Sequence, residues 1–136
     1  GLMYLKMTKQ QKLIEWATSK IGTPFIWGNS DCSSITLEGI KLYYGDILNF
    51  ENTWVNLKEA IRAYKKYGNP LEILENANFY KVLKNYEQTG DIFVWTGNSY
   101  YLVGMVINQS VLVADENKLL QLRPINTFEE YNCFRK

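Results

Sequence analysis

Apolar positions recur at helical spacing through the first half of the chain and gather into short β-rich runs in the second. Leu13, Ile14, Ala17 and Ile21 share one helix face, Thr8 followed by Gln11 has the form of a capping box, and Gly22 is a stop. The pattern predicts a helix over 9–21. Gly22-Thr23-Pro24 breaks it, and Phe25 to Asn29 reads as a turn-rich approach. Asn29, Ser30 and Asp31 are all good N-cap residues, and Ile35, Leu37, Ile40 and Leu42-Tyr43 follow before Gly45, which predicts a second helix over 32–44. Gly39 weakens its interior. Leu57, Ala60, Ile61 and Tyr64 fall at i, i+3, i+4 and i+7 and predict a third helix over 55–67, ended by Gly68-Asn69-Pro70. A short helical piece follows at 71–76. The stretch 77–88 mixes aromatic and charged residues without a period and carries no assignment.

From Gly90 the pattern changes to short β-rich runs at 92–95, 101–107, 111–113 and 119–122. Turn chemistry separates them at Gly97-Asn98-Ser99, Asn108-Gln109-Ser110 and Asp115-Glu116-Asn117. A final run at Asn132 to Arg135 is expected to close the sheet. Helices first and an antiparallel sheet second predict an α+β fold in one domain over 1–136, with N-terminal helices packed on about five short strands.

Composition narrows the function classes. Apolar residues make up 46% of 136 and charged residues 21%, a balance for a packed globular domain rather than a disordered chain. Net charge is +1, which gives no argument for a nucleic-acid or acidic-membrane partner. The basic cluster Arg62, Lys65 and Lys66 reads as a solvated helix face. The apolar run Tyr100 to Ile107 is too short to span a bilayer. The N-terminus lacks the apolar region of a signal peptide, and Met3 reads as the native start after Gly1-Leu2.

The most informative count is zero histidine, which removes every Ser-His or Cys-His dyad and every histidine metal site. No cofactor is expected. The two cysteines, Cys32 and Cys133, are expected to be reduced thiols in a cytoplasmic compartment, with Cys133 filling core in a terminal strand. Cys32 falls in the first turn of a predicted helix, where unpaired N–H groups and the helix dipole favour a thiolate. That makes it a candidate nucleophile, against the bland reading of a small core residue. Asp31 is as good a helix cap as a catalytic aid, and the bland readings give Trp27 and Gly28 only the shaping of a tight turn and Ser33 and Ser34 only the first turn's N–H groups. The ten tyrosines and four tryptophans suit packing better than sugar stacking. Glu129-Glu130 has no partner spacing that argues for glycosidase chemistry.

Gly22, Pro24, Phe25, Trp27, Gly28, Asp31, Cys32 and Ser33 stand in an order that resembles the nucleophile motif of the NlpC/P60 superfamily, papain-like enzymes that cleave peptidoglycan. Thr89-Gly90-Asp91-Ile92 resembles the start of the strand that leads toward that family's histidine strand. The histidine itself is absent. Leu102-Val103-Gly104-Met105 matches the histidine strand with Leu102 at the histidine position, and the third polar residue of the family would fall near Ala114 or Asp115. The whole chain is similar to a compact branch found in phage and prophage tail modules, through Leu119 to Pro124 and Phe134-Arg135, although Lys118 stands where that branch has glycine.

The resemblance implies a papain-like fold, Cys32 as a vestigial nucleophile and Asp31 beside it. It further implies a non-catalytic tail or tail-tip protein, made in the bacterial cytoplasm and carried in the virion, with other phage tail proteins as partners and peptidoglycan as a further one. The competing expectation is a cysteine peptidase or amidase on stem peptides, with a non-histidine base or one supplied by a partner. A third is a plain binding domain whose cleft takes a peptide or glycan. A cysteine hydrolase needs a base to form the thiolate and an acid for the leaving amine, and such groups contribute about 10²- to 10⁴-fold each. A helix terminus supplies no proton, so the sequence favours the scaffold.

Overall fold

The computed structural model describes residues 6–48, 54–97 and 100–136. Four helices lead the chain: α1 (Lys9–Lys20), α2 (Cys32–Tyr44), α3 (Leu57–Tyr67) and α4 (Pro70–Asn76). They begin where the sequence offers caps. Thr8 Oγ1 accepts from the Gln11 N–H at 3.1 Å while Gln11 Oε1 accepts from the Thr8 N–H at 2.8 Å, the reciprocal box expected. Asp31, Asn56 and Asn69 cap the other three. Helix α3 therefore starts at Leu57 rather than 55, because Asn56 is its cap. Pro70, read as part of a stop, opens α4 instead: its missing N–H costs nothing in a first helical turn.

Six strands follow: β1 (Tyr80–Lys81), β2 (Ile92–Thr96), β3 (Tyr101–Ile107), β4 (Ser110–Val113), β5 (Gln121–Pro124) and β6 (Asn132–Arg135). They form one open antiparallel sheet in the order β1-β6-β2-β3-β4-β5. The fold is thus α+β, as expected. Three details differ. A two-residue edge strand, β1, lies in the stretch left unassigned. β6 does not close the sheet but lies between β1 and β2. The last hairpin strand runs over 121–124 rather than 119–122. Residues 118–120 are drawn instead to the segment after α1, where Leu120 N–H donates to Thr23 O and Gly22 N–H donates to Leu120 O, each at 2.8 Å.

The sheet is buried on both faces, which is why its strands read as nearly continuous apolar runs. Ile92, Val94, Val103, Met105, Ile107, Leu112 and Phe134 pack with Leu13, Ala17, Ile35, Ile40 and Leu74 from α1, α2 and α4. Phe93, Val106, Val111, Val113 and Cys133 form a second cluster under Phe128, flanked by Ile125 and Tyr131. The close approach of α2 to the sheet explains Gly39. A Cβ there would lie 2.2 Å from Met105 Sδ and 2.9 Å from the Trp16 ring. No helix among the described residues is long and apolar enough to cross a membrane.

Helix α3 stands apart. It is the most strongly amphipathic helix, yet none of its residues is buried, and Ile61 remains exposed. Its apolar stripe does not enter the core. It faces a cleft.

Candidate functional site

The segment between α1 and α2 is a tightly bonded turn. Ser30 Oγ donates to Pro24 O at 2.6 Å and accepts from the Ile26 N–H at 2.8 Å, and the Phe25 and Trp27 rings meet edge to face with centroids 4.9 Å apart. Gly28 has φ +81°, and a Cβ on it would lie 2.4 Å from the Trp54 carbonyl oxygen, so only glycine fits. Its N–H donates to Asp31 Oδ2 at 2.6 Å.

Asp31 collects the turn. Its carboxylate also accepts from the Ser34 N–H at 3.0 Å, the Ser34 hydroxyl at 2.7 Å and the Trp54 indole N–H at 3.1 Å, and the residue is fully buried. Of the two roles open to Asp31 in the sequence, the structure shows the cap. Ser34 serves the same cluster, which agrees with its bland reading.

Cys32 is the first residue of α2 and opens onto a cleft of about 190 Å³. Leu102, Ala114 and Asp115 line the same cleft, so three separate stretches of sequence converge on the thiol. Phe25, Trp27, Tyr100 and Tyr101 also line it, as do Leu57, Ala60, Ile61 and Tyr64 of the α3 stripe.

The expected acidification of Cys32 does not occur. Burial of the sulfur pushes the thiol up to about 11. The backbone of Val103 and the hydrogen bonds of Ser33 favour the thiolate, but they are outweighed, and the adjacent Asp31 charge opposes them. A helix terminus stabilises an anion only while the anion keeps some solvation, and here most is lost. Ser33 Oγ lies 4.0 Å from the sulfur.

Tyr64 is a further ionisable group beside the thiol. Its hydroxyl donates to Tyr101 O at 3.0 Å, and burial, with the neighbouring Cys32, holds it above the ordinary tyrosine range. It therefore stays a neutral donor that fastens α3 to β3. Among the described residues no group of three or more histidine, cysteine or carboxylate side chains is placed to hold a metal.

A family model described as a domain of unknown function, DUF6950, matches residues 6–134. The chain belongs to the DUF6950 family. No curated protein matches it. The DUF6950 match takes in all four helices and the cleft, so Cys32, Leu102 and Ala114 all lie inside the shared domain.

Other positions singled out in the sequence lie elsewhere in this DUF6950 domain. Cys133 is a free buried thiol in the cluster on the opposite sheet face from Cys32, held above its ordinary range by burial and by Asp91. Glu129 and Glu130 are exposed, and Arg62, Lys65 and Lys66 form a solvated face of α3. Sequence reasoning missed Trp54 and Tyr64, whose partners Asp31 and Tyr101 are distant in the chain. It also treated Gly90-Asp91 and Phe134-Arg135 as separate likenesses. Arg135 instead grips buried Asp91 through two bonds, Nε to Oδ1 at 2.8 Å and Nη2 to Oδ2 at 2.9 Å.

Proposed function

We propose that this DUF6950 domain is a non-catalytic relative of the NlpC/P60 peptidases that serves as an assembly module in a phage tail or tail tip. One observation carries the non-catalytic part: the chain has no imidazole, and among the described residues no carboxylate is hydrogen-bonded to the Cys32 thiol. Leu102 lines the cleft where the resemblance places the imidazole, and Ala114 and Asp115 line it where the orienting residue would fall. Asp31 already accepts four hydrogen bonds, and Tyr64 is a weak acid committed to the Tyr101 carbonyl. Cys32 itself is protonated at neutral pH. Nucleophilic attack needs the thiolate, and amine departure needs a proton donor. The first is disfavoured by burial, and no imidazole supplies the second.

The papain-like assignment is supported by α2 carrying the cysteine at its head while packing on β3, the strand that bears Leu102. The phage-tail assignment is supported by the likeness of the motif around Cys32 and of the chain's end to tail-module proteins.

Incubation of the purified protein with peptidoglycan stem peptides, read by mass spectrometry, tests the catalytic half. The expected result is no cleavage beyond that of Cys32→Ala. Turnover abolished by Cys32→Ala overturns the proposal. Finding the protein in the density of an assembled tail, or its absence there, decides the other half.

A further inference from the structure

The cleft over Cys32 combines features that an idle remnant does not require. Trp27, Tyr100 and Tyr101 contribute aromatic walls, Leu57 and Ile61 of α3 contribute aliphatic ones, and no lysine or arginine is among the described lining residues. The charges present are all negative. Asp31 is occupied by its four donors, but Asp115 and Glu116 are different. Neither carboxylate has a hydrogen bond or an ion pair among the described residues, Asp115 is half-buried and Glu116 is exposed.

Such a lining is complementary to one chemistry. Lysine and arginine carry an apolar stem beneath a cationic head, so the stem packs on rings and aliphatic walls while the head reaches unpaired carboxylates. Aromatic faces attract cations through the ring quadrupole. Negative charge without a basic counterpart steers a cationic partner and repels an acidic one. A neutral hydrophobic partner leaves both carboxylates unused, and an anionic one meets only repulsion.

We infer that the cleft docks a lysine or arginine side chain of a partner protein, with Asp115 and Glu116 as the charge-reading residues and the ring walls as the seat of its stem. This inference rests on the assembly reading above, for which it names the partner's chemistry. Leu102 then has a positive role, since an aliphatic wall packs on a methylene stem.

The test is an NMR titration of the full chain with acetyl-Gly-Gly-Lys-Gly-Gly-amide and its arginine, norleucine and glutamate counterparts, followed at the Trp27 indole and the Leu102 and Asp115 amides. A lysine-containing peptidoglycan stem peptide serves as the competing ligand. The lysine and arginine peptides are expected to bind, norleucine to bind about tenfold more weakly, and glutamate not at all. The double variant Asp115→Asn, Glu116→Gln, its fold checked by its own spectrum, is expected to lose most of the preference for lysine over norleucine. Norleucine binding as well as lysine in the native chain, shifts mapping away from the cleft, or no binding at millimolar peptide overturns the inference. Tighter binding of the stem peptide than of the lysine pentapeptide overturns the choice of a protein partner. Mass spectrometry of the same samples separates the two readings. Cut peptide refutes the non-catalytic proposal, whereas loss of charge preference with intact peptide refutes the docking inference alone.

Discussion

Cys32 sits under two opposed influences. The head of α2 offers N–H groups and a positive dipole end, while burial strips the sulfur of water. Burial wins and the thiol rises to about 11, so at pH 7.5 its thiolate fraction is roughly 100-fold below that of an ordinary exposed cysteine. Alkylation by iodoacetamide, followed by mass spectrometry across pH, should be slower by about that factor and keep climbing until about pH 11. The sign for stability follows. The native state holds its proton above pH 9 where the unfolded chain releases it, so this group makes the fold lose stability as pH rises from about 9 toward 11. Urea midpoints of the native chain should fall more over that window than those of Cys32→Ala.

At the scale of elements, local signals and distant pairings divide the work. Helices α1 and α2 start and stop at Thr8, Ile21, Asp31 and Gly45, each marked by short-range chemistry, and the sequence predicts them to within a residue. The β1 strand has no such signal, because its two residues are held only by pairing with Phe134 and Arg135. The same sheet edge is fastened by Asp91 and Arg135, a buried carboxylate held by a partly exposed guanidinium. Asp91 also accepts from the Gln88 N–H at 2.8 Å, and Arg135 Nη2 donates to Tyr86 O at 3.0 Å, so the pair ties three segments together. Replacing Asp91 with Asn should cost about 2 kcal/mol, because the buried side chain loses charge-assisted hydrogen bonds while the guanidinium keeps some solvation. Urea denaturation at neutral pH measures this, with the tertiary signal lost at lower denaturant.

For the molecule as a whole, the decisive feature is a sheet covered twice. The helices cover one face, and a 3₁₀ turn at Ile125–Thr127 with Phe128 and Tyr131 covers the other. Phe128 packs edge-on against Phe93 and Trp95 at centroid distances of 4.7 and 5.0 Å, and the Arg123 guanidinium lies 3.8 Å above its ring. Its truncation to alanine should cost about 3 kcal/mol, since the polar loop around it cannot refill the space. The melting temperature is the readout, with an unchanged helix signal in the folded baseline. A two-sided core also explains why periodicity was a poor guide to facing in β3: Val106 turns away from the helices while Met105 and Ile107 turn toward them.

The sequence alone determined whatever depends on neighbours within a turn or two: the capped helices, the turn-separated strands, Cys32 at a helix head and the loss of every imidazole. Those follow from backbone hydrogen bonding and side-chain periodicity, which act over a few residues. Only the tertiary structure decided that Asp31 is spent on Trp54 and the turn, that Leu102 and Ala114 line one cleft with Cys32, and that α3 turns its apolar stripe to that cleft. It also decided the thiol's protonation, because desolvation is set by what packs around a sulfur from far along the chain, and no short stretch of sequence records that.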